Sequence, residues 1–135
     1  LYAGFRFDNS LTSEYRNFAE HQISKNQLKN LHFAFSREEN KYYVMDLIRR
    51  DDVYFAELLK NNGVVMICGA LKMQKDVEVV LNEITEKHLQ KPLSYFVENN
   101  QILSDCHFPI KTWMLPILSY VFSVYSASYS KIWTF

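Results

Sequence analysis

Short apolar runs alternate along this chain with longer segments whose apolar residues recur every three or four positions. Leu1 to Phe5 reads as a strand with Arg6 at its carboxyl end, and Asn9-Ser10 supplies turn and cap chemistry. A helix over Leu11 to Ile23 follows, with Leu11, Tyr15, Phe18 and Ala19 on one face. Asn26 to Asn30 is a polar link into a second strand, Leu31 to Phe35. Tyr43, Val44, Leu47 and Ile48 fit a short helix. Asp51 to Lys60 fits another, its first-turn acids suiting the helix dipole.

Asn61-Asn62-Gly63 is a helix stop, because Asn and Gly tolerate the left-handed conformation. Val64 to Cys68 is a continuous apolar run, the pattern of a strand buried on both faces. Gly69 ends it. Leu71 to His88 predicts a long helix that turns Met73, Val77, Val80, Leu81 and Ile84 inward. Beyond Pro92, Leu93 to Asn99 predicts one more helix and Ile102 to Cys106 a last short strand. Alternation of strand and helix implies an α/β fold with a parallel sheet covered on both faces.

The tail from Pro109 differs in kind. It is rich in Trp, Tyr, Phe, Ser and Leu, nearly without charge, and lacks either periodicity. Its apolar part is shorter than the about 20 residues of a membrane span and contains Pro116. Residues 109–135 are therefore expected to lie outside the domain formed by 1–108, as part of a following domain or as sequence foreign to it.

With 135 residues, the chain has room for one modest core. Lys and Arg together number 15, as do Asp and Glu, so no net field favours nucleic acid or an anionic membrane surface. Cys68 and Cys106 show no metal-type spacing and suggest reduced thiols in a cytoplasmic setting. His21, His32 and His88 fall on separate elements, so no metal site is expected.

Candidate chemistry concentrates after the second strand, in Phe35-Ser36-Arg37-Glu38-Glu39-Asn40-Lys41-Tyr42-Tyr43. Parallel α/β sheets bind ligands beyond the carboxyl ends of their strands. Arg37 can form paired charge-assisted bonds, Lys41 adds a point charge, and Ser36 and Tyr43 donate neutral hydrogen bonds. Together they suit a dianionic phosphate such as the 2'-phosphate of adenosine, which favours NADPH over NADH.

The succession Gly4-Phe5-Arg6, Tyr15-Arg16, FSREENKYY and then Val64 to Gly69 with Ala70-Leu71-Lys72-Met73 resembles the NADPH-binding domain of the diflavin reductases. That group includes cytochrome P450 reductase and the sulfite reductase flavoprotein, within the ferredoxin–NADP reductase superfamily. The resemblance covers about residues 1–108 and implies a Rossmann-like fold. It implies that Ser36, Arg37, Lys41 and Tyr43 hold the 2'-phosphate, with Arg37 able to stack on adenine, and that Arg6 faces the other phosphates. Cys68 and Gly69 match the nicotinamide end, and Asp105 matches a carboxylate that completes the hydride-transfer site.

Departures from the pattern are equally specific. Ala70 stands where the family has an acid after Cys-Gly, and Met45 stands where a glutamine often assists with the phosphate. The loop between Arg37 and Lys41 is one residue shorter than in cytochrome P450 reductase. His107 and Phe108 follow Asp105-Cys106 where relatives place a flavin-stacking aromatic. The family's Gly-rich turn, its central first strand and its flavin-binding barrel with Arg-x-Tyr-Ser do not occur in this sequence. The expectation is a fragment that begins at the second strand, with an unsealed sheet and no turnover alone.

What the resemblance implies is an NADPH-dependent flavoprotein reductase that passes hydride from NADPH to FAD and electrons on to FMN or another acceptor. Its partners would be an FAD-binding domain and a flavodoxin-like domain or other acceptor, on the cytoplasmic side, with membrane association left open. The alternative is a nucleotide-binding or interaction module without redox activity.

Overall fold

A computed structural model describes residues 1–105 and the strand 131–134. In chain order the elements are β1 (Tyr2–Phe5), α1 (Ser10–Ser24), β2 (His32–Phe35), α2 (Val44–Arg50), α3 (Asp52–Lys60) and β3 (Val64–Cys68). They continue as α4 (Leu71–Leu89), α5 (Leu93–Glu98), β4 (Ile102–Asp105) and β5 (Lys131–Thr134). The fold is mixed α/β. All strands run parallel in one five-stranded sheet, ordered β2-β1-β5-β3-β4.

The central position of this sheet is not vacant. Where the sequence reading leaves a gap between β1 and β3, β5 lies from the segment read as foreign to the domain. It pairs with β3 from Val64↔Lys131 to Ile67↔Thr134, but with β1 only at Tyr2↔Thr134. The physical reason is backbone satisfaction: inner strand edges need a partner, and a β-branched and aromatic stretch such as Ile132-Trp133-Thr134 suits that place. The sheet is thus two ladders, β2–β1 and β4–β3, joined through β5. Residues 106–130 and 135, with Cys106 and most of the apolar tail expected beyond residue 108, lie outside the described residues.

Helices α2, α3 and α4 pack on one another, with α2 against β1 and β2, α3 against β3, and α5 against β4. Ile48, Phe55, Leu59, Val65, Ile67, Val77 and Leu81 form the fully buried centre. The inward stripe of α4 is as expected: Val77, Val80, Leu81 and Ile84 are buried, and Met73 packs against the cluster. Strand β3 departs from its reading, because Val65 and Ile67 are sealed while Val64, Met66 and Cys68 are half-buried. Helix α1 also departs. Of its expected stripe only Ala19 is buried, whereas Leu11, Tyr15 and Phe18 are about half exposed (52%, 48% and 51%). Thr12 takes the inner place because its hydroxyl completes a capping box with Asn9 and donates to Asp8, so its polarity costs little on burial.

At the α3–β3 turn the left-handed residue is Asn62, at φ 59°. Gly63 is needed for a different reason than the one read from sequence. A Cβ placed on it would lie 2.5 Å from Leu58 Cγ and 2.7 Å from the Leu58 carbonyl oxygen. Gly63→Ala is therefore expected to cost about 1–3 kcal/mol by forced repacking, measured as a lowered urea midpoint at unchanged slope.

The amino ends of β1 and β2 are tied to α2 and α3 by a polar cluster. Buried Tyr2 donates its hydroxyl to Asp51 at 2.7 Å, Arg50 donates to both oxygens of the same carboxylate at 2.9 Å, and His32 stacks on the Tyr2 ring. The Arg50 guanidinium, and then the Tyr2 hydroxyl, hold the Asp51 carboxyl below its ordinary range, while burial and Asp51 push the Tyr2 phenol up. A depressed carboxyl stabilises the fold fully above its unfolded pKa, and the contribution fades as pH falls toward the folded value. Asp51→Asn should therefore lower the unfolding free energy by about 1–2 kcal/mol at neutral pH. Urea titrations of variant and parent should converge below about pH 4.

Candidate functional site

The register between strands decides which side chains share an edge. Pairing of Tyr2 to Phe5 with His32 to Phe35 brings the carboxyl ends of β1 and β2 level. The loops beyond are then stitched by backbone: Ser36 N donates to Phe5 O at 2.9 Å and Arg37 N to Arg6 O at 2.9 Å. Arg6 and Arg37 are consequently neighbours across the strand ends, and both are exposed. Among the described residues neither guanidinium has an ion pair or side-chain hydrogen bond. Tyr42 N donates to Phe35 O at 3.0 Å and closes the Ser36–Lys41 loop over the end of β2.

Inside that loop the expected phosphate ligands are placed unequally. Lys41 Nζ stands 5.5 Å from the Tyr43 ring centroid, so these two act together, and the half-exposed Tyr43 opens α2 through its N–H to Asp46 at 2.8 Å. Ser36 is turned inward, its hydroxyl donating to Phe5 O at 3.3 Å. Glu38 accepts from Asp8 N at 2.9 Å and locks the two loops together. This carboxylate brace was not apparent from sequence, because nothing local to either loop announces a bond across thirty positions. Met45 is partly buried against the core and offers the edge no polar group.

Tyr15 and Arg16 brace the same edge from α1. The Tyr15 ring lies 5.7 Å from Phe5, and Arg16 sits 5.0 Å over Phe33 while pairing with Asp8 at 3.3 Å. The acids closest in sequence to the edge cations are thus engaged elsewhere, apart from exposed Glu39. Positive charge at Arg6, Arg37 and Lys41 remains available to an anion.

On the other ladder, Cys68 and Asp105 are direct register partners at the carboxyl ends of β3 and β4. Adjacent strands lie about 4.8 Å apart, so thiol and carboxylate belong to neighbouring positions on the same edge. Gly69 follows with φ 144°, a backbone conformation that side-chain-bearing residues rarely adopt. Ala70 caps α4 with extended backbone and no side-chain bond, so first-turn N–H groups of α4 have no side-chain acceptor at the cap. All eight expected site residues therefore lie at or just beyond the carboxyl ends of strands, in two groups separated by β5: Arg6 with Ser36, Arg37, Lys41 and Tyr43, and Cys68 with Gly69 and Asp105. His107 and Phe108 lie outside the described residues. No group of three His, Cys, Asp or Glu able to hold a metal ion occurs among the described residues. No helix among them is long and apolar enough to cross a membrane.

No protein-family model matches the chain, and no curated protein matches it.

Replacing Gly69 tests how the turn after Cys68 is held. Gly69→Ala is expected to destabilise by about 1–3 kcal/mol because a Cβ is strained at this φ, read as a lowered unfolding free energy in urea.

Proposed function

We propose that this chain is the NADPH-binding part of an FAD-dependent oxidoreductase, built on a Rossmann-like sheet. The observation that carries the reading is the single edge: two exposed guanidiniums with no ion pair among the described residues and a lysine beyond β1 and β2, and a thiol–carboxylate register pair at the ends of β3 and β4. An extended dinucleotide laid along such an edge would meet cations at its adenosine end and Cys68 with Asp105 at its nicotinamide end. Strand order supports the same reading, since the sheet reverses direction of growth at its middle, where doubly wound sheets bind nucleotides.

In this reading Arg37 and Lys41 carry the 2'-phosphate, Arg6 serves the phosphates nearer the strand ends, and Tyr43 positions Lys41 through its ring. Ser36 joins only if its hydroxyl leaves the long bond to Phe5 O. The flavin supplies the electron sink when bound; Cys68, Gly69 and Asp105 position the nicotinamide against it. Ala70 favours the second reading, a nucleotide-binding module without redox activity, because it removes the acid expected beside the transferred hydride.

Calorimetric titration with adenosine 2',5'-bisphosphate and adenosine 5'-monophosphate tests the binding claim. The bisphosphate should bind at least tenfold more tightly. Arg37→Ala should weaken it about 10- to 100-fold and leave the monophosphate unchanged, matching the loss of charge-assisted hydrogen bonds. Equal affinity of the two nucleotides for the parent chain would sink the assignment. Joining the domain to a flavin-binding barrel separates the two readings: bleaching of FAD by NADPH supports the reductase, and binding without bleaching supports the module.

A further inference from the structure

Pairing between β1 and β2 ends at Phe5↔Phe35, and two backbone bonds, Ser36 N to Phe5 O and Arg37 N to Arg6 O, carry the contact further. The link after those is a side chain: the Glu38 carboxylate accepts from Asp8 N at 2.9 Å. We propose that Glu38 is a positioning residue of the cationic rim. Its bond to Asp8 holds Arg6 and Arg37 at the spacing that lets both engage one adenosine phosphorylated at its 2' and 5' positions. Glu38 has this role only if the dinucleotide reading holds.

Asp8 is the fixed end of this brace. Its carboxylate accepts from the hydroxyl of buried Thr12 and pairs with Arg16 at 3.3 Å, so α1 holds it in place. Glu38 reaches across from the other loop and takes the Asp8 N–H, as a strand carbonyl would in a longer ladder. Arg6 and Arg37 are thus tied twice. Their own backbones are bonded, and the carboxylate bond follows one residue after Arg37 and two after Arg6.

The brace answers an electrostatic need. Arg6 and Arg37 are exposed like charges on adjoining loops, and neither guanidinium has an ion pair among the described residues. Their repulsion works to spread the loops. Each bond that keeps the loops together removes freedom that a ligand would otherwise have to take away on binding. A ligand with one phosphate engages one cation and is indifferent to their spacing; a ligand with two is not. Glu38 also carries a negative charge, which by itself disfavours anions. Its geometric and electrostatic effects therefore have opposite signs and are separable.

Glu38→Gln and Glu38→Ala separate the two effects, because they lose the same charge but only Gln keeps the acceptor. Calorimetry on the full chain uses adenosine 2',5'-bisphosphate and adenosine 5'-monophosphate as probes. Glu38→Ala should bind the bisphosphate about three- to tenfold more weakly than Glu38→Gln, and the two should bind the monophosphate equally. Without ligand, the Asp8 amide should exchange at similar rates in parent and Glu38→Gln and about three- to tenfold faster in Glu38→Ala, read by NMR. In a parent that prefers the bisphosphate, three results would each overturn the positioning role and leave the nucleotide reading standing. These are equal bisphosphate affinity in the two variants, parallel loss of both nucleotides in Glu38→Ala, and equal exchange of their Asp8 amides. A parent that binds both nucleotides equally would overturn both.

Discussion

In a parallel sheet, every backbone N–H and C=O away from the rim needs a neighbouring strand, and two such edges meet at the middle of this one. The inner edges of β1 and β3 face each other across the position of β5. Because β5 runs parallel to both, the carboxyl ends of all the strands point the same way. That common direction is what gathers residues from positions 6, 37, 68 and 105 onto one rim. Without it, the cations beyond β1 and β2 and the thiol beyond β3 would belong to separate surfaces.

Much of this was legible from the residues. Strand and helix positions followed from apolar runs and 3.6-residue periodicity, and α4 turned the expected stripe of Val77, Val80, Leu81 and Ile84 inward. The strand-end location of the candidate site was legible too, since it needs only the end of each strand and the parallel rule. What failed did so for identifiable reasons. Leu11, Tyr15 and Phe18 form a regular helical stripe, but α1 buries Thr12 and Ala19 instead and leaves them half exposed. Gly63 was read for backbone freedom, whereas its value is the space it leaves beside Leu58, a tertiary fact. Residues 131–134 carry too short a pattern to announce a central strand, and only the demand of two open edges identifies them.

Division of labour between the two rims follows from local chemistry. At the amino ends, polar groups satisfy one another: Tyr2 with Asp51, Asp51 with Arg50, and Asp52 with Lys87 and His88 at 2.8 Å. Lys87 and His88 hold the Asp52 carboxyl well below the usual range and link α3 to the end of α4. At the carboxyl ends, Asp8 and Glu38 brace the loops, and the guanidiniums of Arg6 and Arg37 have no ion pair among the described residues. Closed polar networks stiffen a fold, while unspent charge on an exposed rim attracts ligands.

The lone Tyr2↔Thr134 pair has a consequence for biosynthesis. During translation β1 and β2 leave the ribosome early and can form their ladder at once, and β3 and β4 can follow as a second unit. The strand that unites them emerges last. Until then each ladder carries an open flank, and fusion of the two halves is a long-range event that must await β5.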